Sequence, residues 1–467
     1  MARRIPAVLL ALALVSGQSL RAQAGVPAPQ VLTLADALDY ALQHYPAVRA
    51  SLEQVTAARA GVPLAQTQYL PTLSGVYQDS RATQNQVSGI WLPTGITPTV
   101  EGPMGAYSGQ SYWGSQAAML FSWEPLDFGL RSANVAGAKS VLDKSTADLA
   151  VTRLQVASAV GNYFINAVAA RQGVIAAQAN VTRWQVFNQS VHTLVDNALR
   201  PGADASRADA QLARAKTQLY QTQATEQAAL ATLAALMGMA GTEVRLEGGK
   251  LLHPPPVSSL PSSVPADNPL ARDEMAAVRQ IQAQEKVLSR TDLPRVFLGA
   301  EAFGRGSDVP NNGVVAGTAS GLFLGRGNWV AGITVTFPNV FDFKALNAEK
   351  QVEKAHERSQ QALYDRTIQD LTGQLEAAQA QLKSALLVAQ QTPIELEAAR
   401  ASESQSRARY AASLTTMVEV AEAEGLLAQA EMDDAIARLN VWHSLFNVAY
   451  AQGDLQPFLN ELRTPNP

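Results

Sequence analysis

The chain has 467 residues, with 36 Lys and Arg against 40 Asp and Glu, 80 alanines and no cysteine. Alanine at about one residue in six is a helix former's composition, and the length exceeds one compact core unless that core is thin and elongated. The absence of cysteine excludes disulfides, thiolate metal sites, thiol nucleophiles and a lipid-modified N-terminal cysteine, and the weakly acidic balance excludes nucleic-acid binding by charge.

Residues 1–24 read as an export signal: Arg3 and Arg4, an apolar run from Ile5 to Val15, then Ala22-Gln23-Ala24. The run is about 11 residues where a spanning helix needs roughly 20. Cleavage there leaves 33 basic and 40 acidic residues, a net charge of −7. No later stretch holds 18 uninterrupted apolar residues, so the exported chain is periplasmic, secreted, or in an outer membrane as strands.

Two halves repeat one order of features. Tyr45-Pro46 precedes Pro71 by 25 residues, and Asn268-Pro269 precedes Pro294 by 25; Pro125-Leu126-Asp127-Phe128 is echoed by Phe341-Asp342-Phe343. The division expected is a first repeat over 25–245, a linker over 246–268, a second repeat over 269–450 and a tail over 451–467. Each half reads as a short helix, two strands and a very long helical region. Thr33 to Gln68 is helical in pattern, with Thr33 and Asp36 as a capping pair and Pro46 breaking or kinking the helix.

In Gln116 to Trp123 the residues Ala117, Met119, Phe121 and Trp123 share one strand face. The alternation recurs in Val296 to Phe303 and in Trp329 to Phe337. Gly-, Pro-, Asn- and Ser-rich segments, Asp79 to Ser115 and Gly304 to Asn328, read as loops between paired strands. Four strands of about ten residues cannot close a barrel that needs at least eight, so several copies must share one. Arg131 to Leu199, Ala203 to Leu236, Ala345 to Ala411 and Thr416 to Ala449 are helical, the first reaching about 100 Å at 1.5 Å per residue. Their small apolar residues, with Gln and Ser, suit close packing around a wet interior.

Leu32-Thr33-Leu34-Ala35-Asp36-Ala37-Leu38, Tyr69-Leu70-Pro71, Pro125-Leu126-Asp127-Phe128-Gly129 and the duplicated layout over 32–450 resemble the TolC-like outer-membrane efflux protein family. The resemblance implies a mainly α fold with a small β-barrel part: long antiparallel helical hairpins form a periplasmic tunnel, and each chain of a homotrimer gives four strands to a twelve-stranded outer-membrane barrel. It implies an equatorial region at Gly238 to Asn268 plus the chain ends. It also implies a passive exit duct for an inner-membrane pump or secretion transporter, docked through a periplasmic adaptor protein. No cofactor or metal is implied. A soluble periplasmic coiled-coil adaptor is the alternative; it leaves the alternating strands unexplained.

The helical turns mark the expected periplasmic mouth. Arg200-Pro201-Gly202-Ala203-Asp204 reads as the first turn from its Pro and Gly, and Tyr410 to Thr416, with Ser413, Leu414 and Thr415, is the second. Both are adaptor-docking candidates. The family pattern at the second turn is a Tyr, a Gly three later and two acids at i, i+3, which Tyr410, Glu419 and Glu422 match as gate residues. Ser413 replaces the usual Gly, Thr415 an Arg of some members that helps lock the mouth, and Ala208 an Asp that can pair across helices. Three copies of Glu419 and Glu422 would ring a narrow mouth with six carboxylates and favour cations; the plainer reading is a helix-dipole contribution of about 0.3 to 1 kcal/mol.

Tyr77, Trp113, Trp123, Trp329 and Phe337 are candidates for the aromatic girdles of the barrel, with ordinary core packing as the alternative. The five histidines are scattered without ligand spacing, Gly137-Ala138-Lys139-Ser140 lacks a phosphate loop's Gly before Lys, and no carboxylate pair stands out. The sequence is not that of an enzyme.

Overall fold

The computed structural model describes residues 31–83, 111–255, 265–307, 319–338 and 343–463. The expected export signal lies outside them, as do Phe341 and Asp342. Thr33 caps α1 (Leu34–His44) through a reciprocal box in which its hydroxyl accepts from the Asp36 amide while Asp36 accepts from the Thr33 amide. Pro46 ends α1 and opens α2 (Pro46–Gln66) at its first position, where a missing N–H costs nothing.

β1 (Thr72–Thr83) and β2 (Ser111–Leu126) form an antiparallel pair leading into α3 (Leu130–Asp196), which returns as α4 (Gly202–Leu236). The second half repeats this with α5 (Pro269–Leu288), β3 (Arg295–Ser307), β4 (Arg326–Thr336), α6 (Phe343–Ala411) and α7 (Met417–Gln452), followed by α8 (Gln456–Arg463). The strands reach further than their composition suggests, taking in residues 79–83, 111–115, 304–307 and 326–328 of the expected loops. Ladder pairing with the neighbouring strand outweighs the weak strand preference of Gly, Ser and Asp there. Phe337 lies one residue beyond β4.

The corner between β2 and α3 explains Pro125 to Gly129. Phe128 and Gly129 both take left-handed backbone, and buried Asp127 accepts from the Gly129 amide at 3.2 Å, the Arg131 amide, and Arg131 Nε at 3.1 Å. Burial opposes the Asp127 charge, but the Arg131 and Gly129 donors outweigh it and hold the carboxyl below its usual range.

α3 lies beside α2 towards the sheet and beside α4 away from it; α6 lies in the same way beside α5 and α7. The main core sits mid-length, where Phe164, Trp442, Phe446, Phe458, Leu38, Met237 and Leu251 are buried together. Leu32 bridges to Leu246, and the Trp442 indole donates to the His253 carbonyl at 2.7 Å, so the chain start, the segment after α4 and α8 converge there.

Close packing in this core requires glycine at one point. A Cβ at Gly161 would lie 2.2 Å from the Phe446 ring, which is fully buried and packed edge-on against Phe458 at 5.2 Å. On the same helix a Cβ at Gly173 would meet only a Thr222 methyl at 4.0 Å. Gly161→Ala is expected to destabilise the protein by about 1 to 3 kcal/mol through overpacking, whereas Gly173→Ala gains up to about 1 kcal/mol of helix propensity. Denaturant unfolding of the two variants checks the opposite signs.

Candidate functional site

Two places are built for function: the sheet, and the far tips of the helical hairpins. The sheet has the order β1-β2-β3-β4, antiparallel throughout, leaving β1 and β4 as edges. Register places Leu73, Tyr77, Trp113, Met119, Phe121, Trp123, Leu298, Trp329, Ile333 and Val335 on one face. The other carries Ser74, Gln78, Gln116, Glu124, Arg295, Glu301, Arg305, Asn328 and Thr334, interspersed with Val76, Leu120, Phe297, Phe303 and Val330, and has a bidentate Arg295–Glu124 pair at 2.7 and 2.8 Å.

Gln116, Ala118 and Glu301 on the polar face are buried while Trp329 on the apolar face is 80% exposed, so the sheet curls around its polar side. Tyr77 and Phe337 are also exposed; Trp113 and Trp123 are half-buried. The Trp123 indole donates to the Tyr69 carbonyl at 3.0 Å near the helical end, and Trp113 lies under the Arg81 guanidinium at the opposite end. Ten residues of strand between Trp113 and Trp123 span about 34 Å, which at the ~45° tilt of barrel strands projects to about 24 Å, the height of a membrane-barrel apolar band.

At the tips, α3 and α6 end alike. Ala198 and Ser413 are left-handed, with φ of 58° and 62°. The Leu199 amide donates to the Leu194 carbonyl and the Ala198 amide to that of Val195; Leu414 and Ser413 do the same to Arg409 and Tyr410. Both are Schellman caps with a non-glycine residue at the left-handed position. The first turn is tighter than its sequence suggests: Pro201 is the N-cap, and Gly202, Ala203 and Asp204 already form the first turn of α4. Pro201, Gly202, Ala203, Ser413, Leu414 and Leu199 are exposed, whereas Asp204 and Thr415 are buried.

Asp204 is buried because it receives the Tyr410 hydroxyl at 3.0 Å. The Arg200 guanidinium stacks 4.1 Å over the Tyr410 ring and donates to the Tyr410 carbonyl, while Phe187 meets the ring edge-on at 5.4 Å. Burial, and then the bond to Asp204, push the Tyr410 phenol up to about 12, so it stays a donor at any physiological pH. Ala208, one helical turn beyond Asp204, is buried in the same apolar cluster. Glu419 and Glu422 are exposed in the single chain; the Thr415 hydroxyl donates to Glu419, in the first turn of α7.

Sequence reading missed a charged cluster above the tips. Fully buried Glu424 of α7 accepts from Arg183 of α3 at 3.1 Å and lies 3.3 Å from Arg407 of α6. Arg183 also forks onto Glu431 at 3.2 and 3.0 Å, and Arg407 pairs with Glu403 at 3.0 Å. The available signal was spacing: Met417, Val420, Glu424 and Leu427 are buried on one stripe of α7, so a glutamate stands in an apolar position. Burial pushes the Glu424 carboxyl up to about 7 against the pull of Arg407 and Arg183, with Glu403 adding to the rise. Three carboxylates against two guanidinium groups leave the cluster one proton short of neutrality.

Known proteins fit this architecture. The sequence pattern of the outer membrane efflux protein family matches residues 37–239 and 260–453. The chain belongs to the outer membrane efflux protein family. Protein CyaE of Bordetella pertussis is 26% identical over 343 residues, 72% of this chain; the chain spans 65% of that relative's length. The outer membrane protein VceC of Vibrio cholerae shares the fold with a TM-score of 0.69 at 16% identity, covering 90% of this chain and 96% of VceC. The MtrE outer membrane channel of Neisseria gonorrhoeae, solved in its open state, gives 0.71 at 18%, covering 90% and 89%. Membership places this efflux protein in the outer membrane. No helix among the described residues is long and apolar enough to cross a membrane.

Tyr410→Phe leaves the buried Asp204 carboxylate without its hydroxyl donor and should destabilise the tip by about 1 to 3 kcal/mol, read as a lower denaturation midpoint. For Glu424 the folded value lies above the ordinary 4.5, so its contribution is complete below that pH and lost as pH rises through about 7. Glu424→Gln should therefore flatten the fall in thermal midpoint between about pH 5 and about pH 8; an unchanged slope would show that another group carries it.

Proposed function

We propose that three copies assemble into an exit duct that passively conducts substrates from the periplasm or an inner-membrane pump to the exterior, as the outer-membrane part of a tripartite efflux or type I secretion system. The observation that carries this reading is a four-stranded antiparallel sheet with one exposed apolar face, one polar face and two open edges, standing on paired helices of 67 and 69 residues. With β1 and β4 running in opposite directions, β4 of one copy meets β1 of the next antiparallel, and three copies close twelve strands around the polar face. α3 and α6 then continue the wall about 100 Å into the periplasm.

In this assembly residues 25–245 and 269–450 act as two structural repeats, and the linker over 246–268 with the tail over 451–467 forms an equatorial collar at the mid-length core. Tyr77, Trp113, Trp123, Trp329 and Phe337 mark the lipid boundary. The exposed tip residues Pro201, Gly202, Ala203, Ser413 and Leu414 face a periplasmic adaptor, with Asp204 and Thr415 bracing the turns from within. Glu419 and Glu422, exposed and three apart near the start of α7, line the mouth beside Tyr410.

Mass measurement of the purified protein in detergent, followed by recording in planar bilayers, tests the reading. Three copies per particle and cation-preferring channels are expected, and Glu419→Gln/Glu422→Gln should reduce the preference for cations. A soluble monomer without conductance sinks the duct; an unchanged cation preference in the double variant sinks the acidic ring alone.

A further inference from the structure

The apolar sheet face has a gap. Near the end of β3 furthest from the helices that face carries Gly304 and Gly306, beside Ala117 and Ser115 of β2 and Gly327 of β4, so no large side chain stands there on β3 or its partners beyond the row of Met119, Ala302 and Trp329. The Gly306 row lies just inside the girdle at that end, for Trp113 precedes Ser115, the partner of Gly306, by two residues.

The arm that returns to β4 fills this space from outside. Ala319–Leu322 forms a single 3-10 turn against β2 and β3, and the Gly325 amide rejoins the ladder by donating to the Arg305 carbonyl at 3.2 Å. The approach is close enough to require glycine: a Cβ at Gly306 would lie 2.1 Å from the Phe323 carbonyl oxygen and 2.7 Å from that of Gly321. Leu324 sits over Gly304, whose Cβ would be 3.6 Å from the Leu324 Cβ. Ser115 beneath the arm and the arm's own Gly321 are buried; Leu324 is about half exposed with one methyl 3.8 Å from the Gly304 Cβ position, and Phe323 is 74% exposed.

We propose that Phe323 and Leu324 are a membrane anchor, supplying from a folded-back loop arm the girdle residues that β3 lacks and inserting at the acyl-chain and headgroup boundary of the outer leaflet. A large aromatic with three-quarters of its surface free is costly in water, and amphipathic or aromatic groups gather at this depth of a bilayer. The occupant follows from position: the arm lies on the sheet face that carries the exposed Tyr77, Met119 and Trp329, and its exposed ring extends that apolar face towards the end furthest from the helices. The inference rests on the barrel reading above.

The cysteine-free sequence allows single-site labelling. Nitroxide is attached to Phe323→Cys or Leu324→Cys, with Met119→Cys, about midway between Trp113 and Trp123 on β2, as a mid-band reference and Arg366→Cys as an aqueous one. The protein is reconstituted in phosphatidylethanolamine/phosphatidylglycerol vesicles, and collision with oxygen and with a water-soluble nickel chelate is measured. The expected result is loss of nickel accessibility at 323 and 324 relative to 366, at a depth between that of 119 and the aqueous phase. Nickel accessibility equal to that at 366, with 119 still shielded, overturns the anchor and leaves the barrel standing; an aqueous signal at 119 overturns both. Gly306→Ala, which pushes the arm off the sheet, should return the 323 label towards nickel accessibility, and no change there rejects the glycine-dependent seating.

Discussion

The sheet of this molecule is governed by its two open edges. In water the unpaired N–H and C=O groups of β1 and β4 would be solvated, but in an outer membrane each such group costs several kcal/mol, and only pairing removes the cost. The described residues of one chain hold no further strand for the order β1-β2-β3-β4 to close on. The even strand number makes the edges antiparallel to one another, so in the assembly proposed above a second copy would fit by rotation alone and the ring would close without a seam. The lining and exterior of that ring would then be consequences of register, since the face opposite Tyr77, Trp123 and Trp329 carries Gln78, Gln116, Glu301, Arg305 and Thr334.

The helices answer a different constraint. A wall about 100 Å long and one or two helices thick has little interior, so its packing relies on small residues that bring backbones together. Gly161 against Phe446 is the extreme case, a glycine receiving a ring fixed by Phe458. Such a wall buries charge only where several helices meet. The Arg183, Arg407, Glu403, Glu424 and Glu431 cluster sits where α3, α6 and α7 meet, joining the first hairpin to the second by directional bonds where apolar contact is thin. Removing one member of such a cluster costs more than the intact cluster stabilises, which suits a joint that specifies alignment.

Much of this was legible in the sequence because its signals are local. The Thr33 and Asp36 box, Pro46 at a helix start, the Ala-rich helical runs and the alternation around Trp123 and Trp329 are set within a few residues. The outer strand ends were illegible because Gly304, Gly306 and Gly327 look the same in a loop and in a strand stretch covered by another segment. Asp204 was read as part of a turn since Pro201-Gly202 dominates the local pattern, and its burial depends on Tyr410, 206 residues away. Arg183 gave no signal at all: an arginine on a long helix is ordinarily solvated, and only the meeting of three helices makes it otherwise.

The hairpin tips show how one arrangement can be kept with altered residues. The TolC-like pattern places an Asp at the position of Ala208 and, in some members, an Arg at that of Thr415; here both are absent, yet Tyr410 is still held by a carboxylate and a guanidinium. Asp204 lies four residues before Ala208, one turn along the same helix face, so its carboxylate reaches the Tyr410 hydroxyl from the neighbouring turn. Arg200, just before the turn, covers the ring and takes up the Tyr410 carbonyl. All of these bonds lie within one chain. What holds the tyrosine stiffens the two hairpins as a unit. In the assembly proposed above, the exposed Glu419 and Glu422 carboxylates would face their copies across the axis and repel one another, so a closed mouth would be held by partners or cations rather than by the tips' own acids.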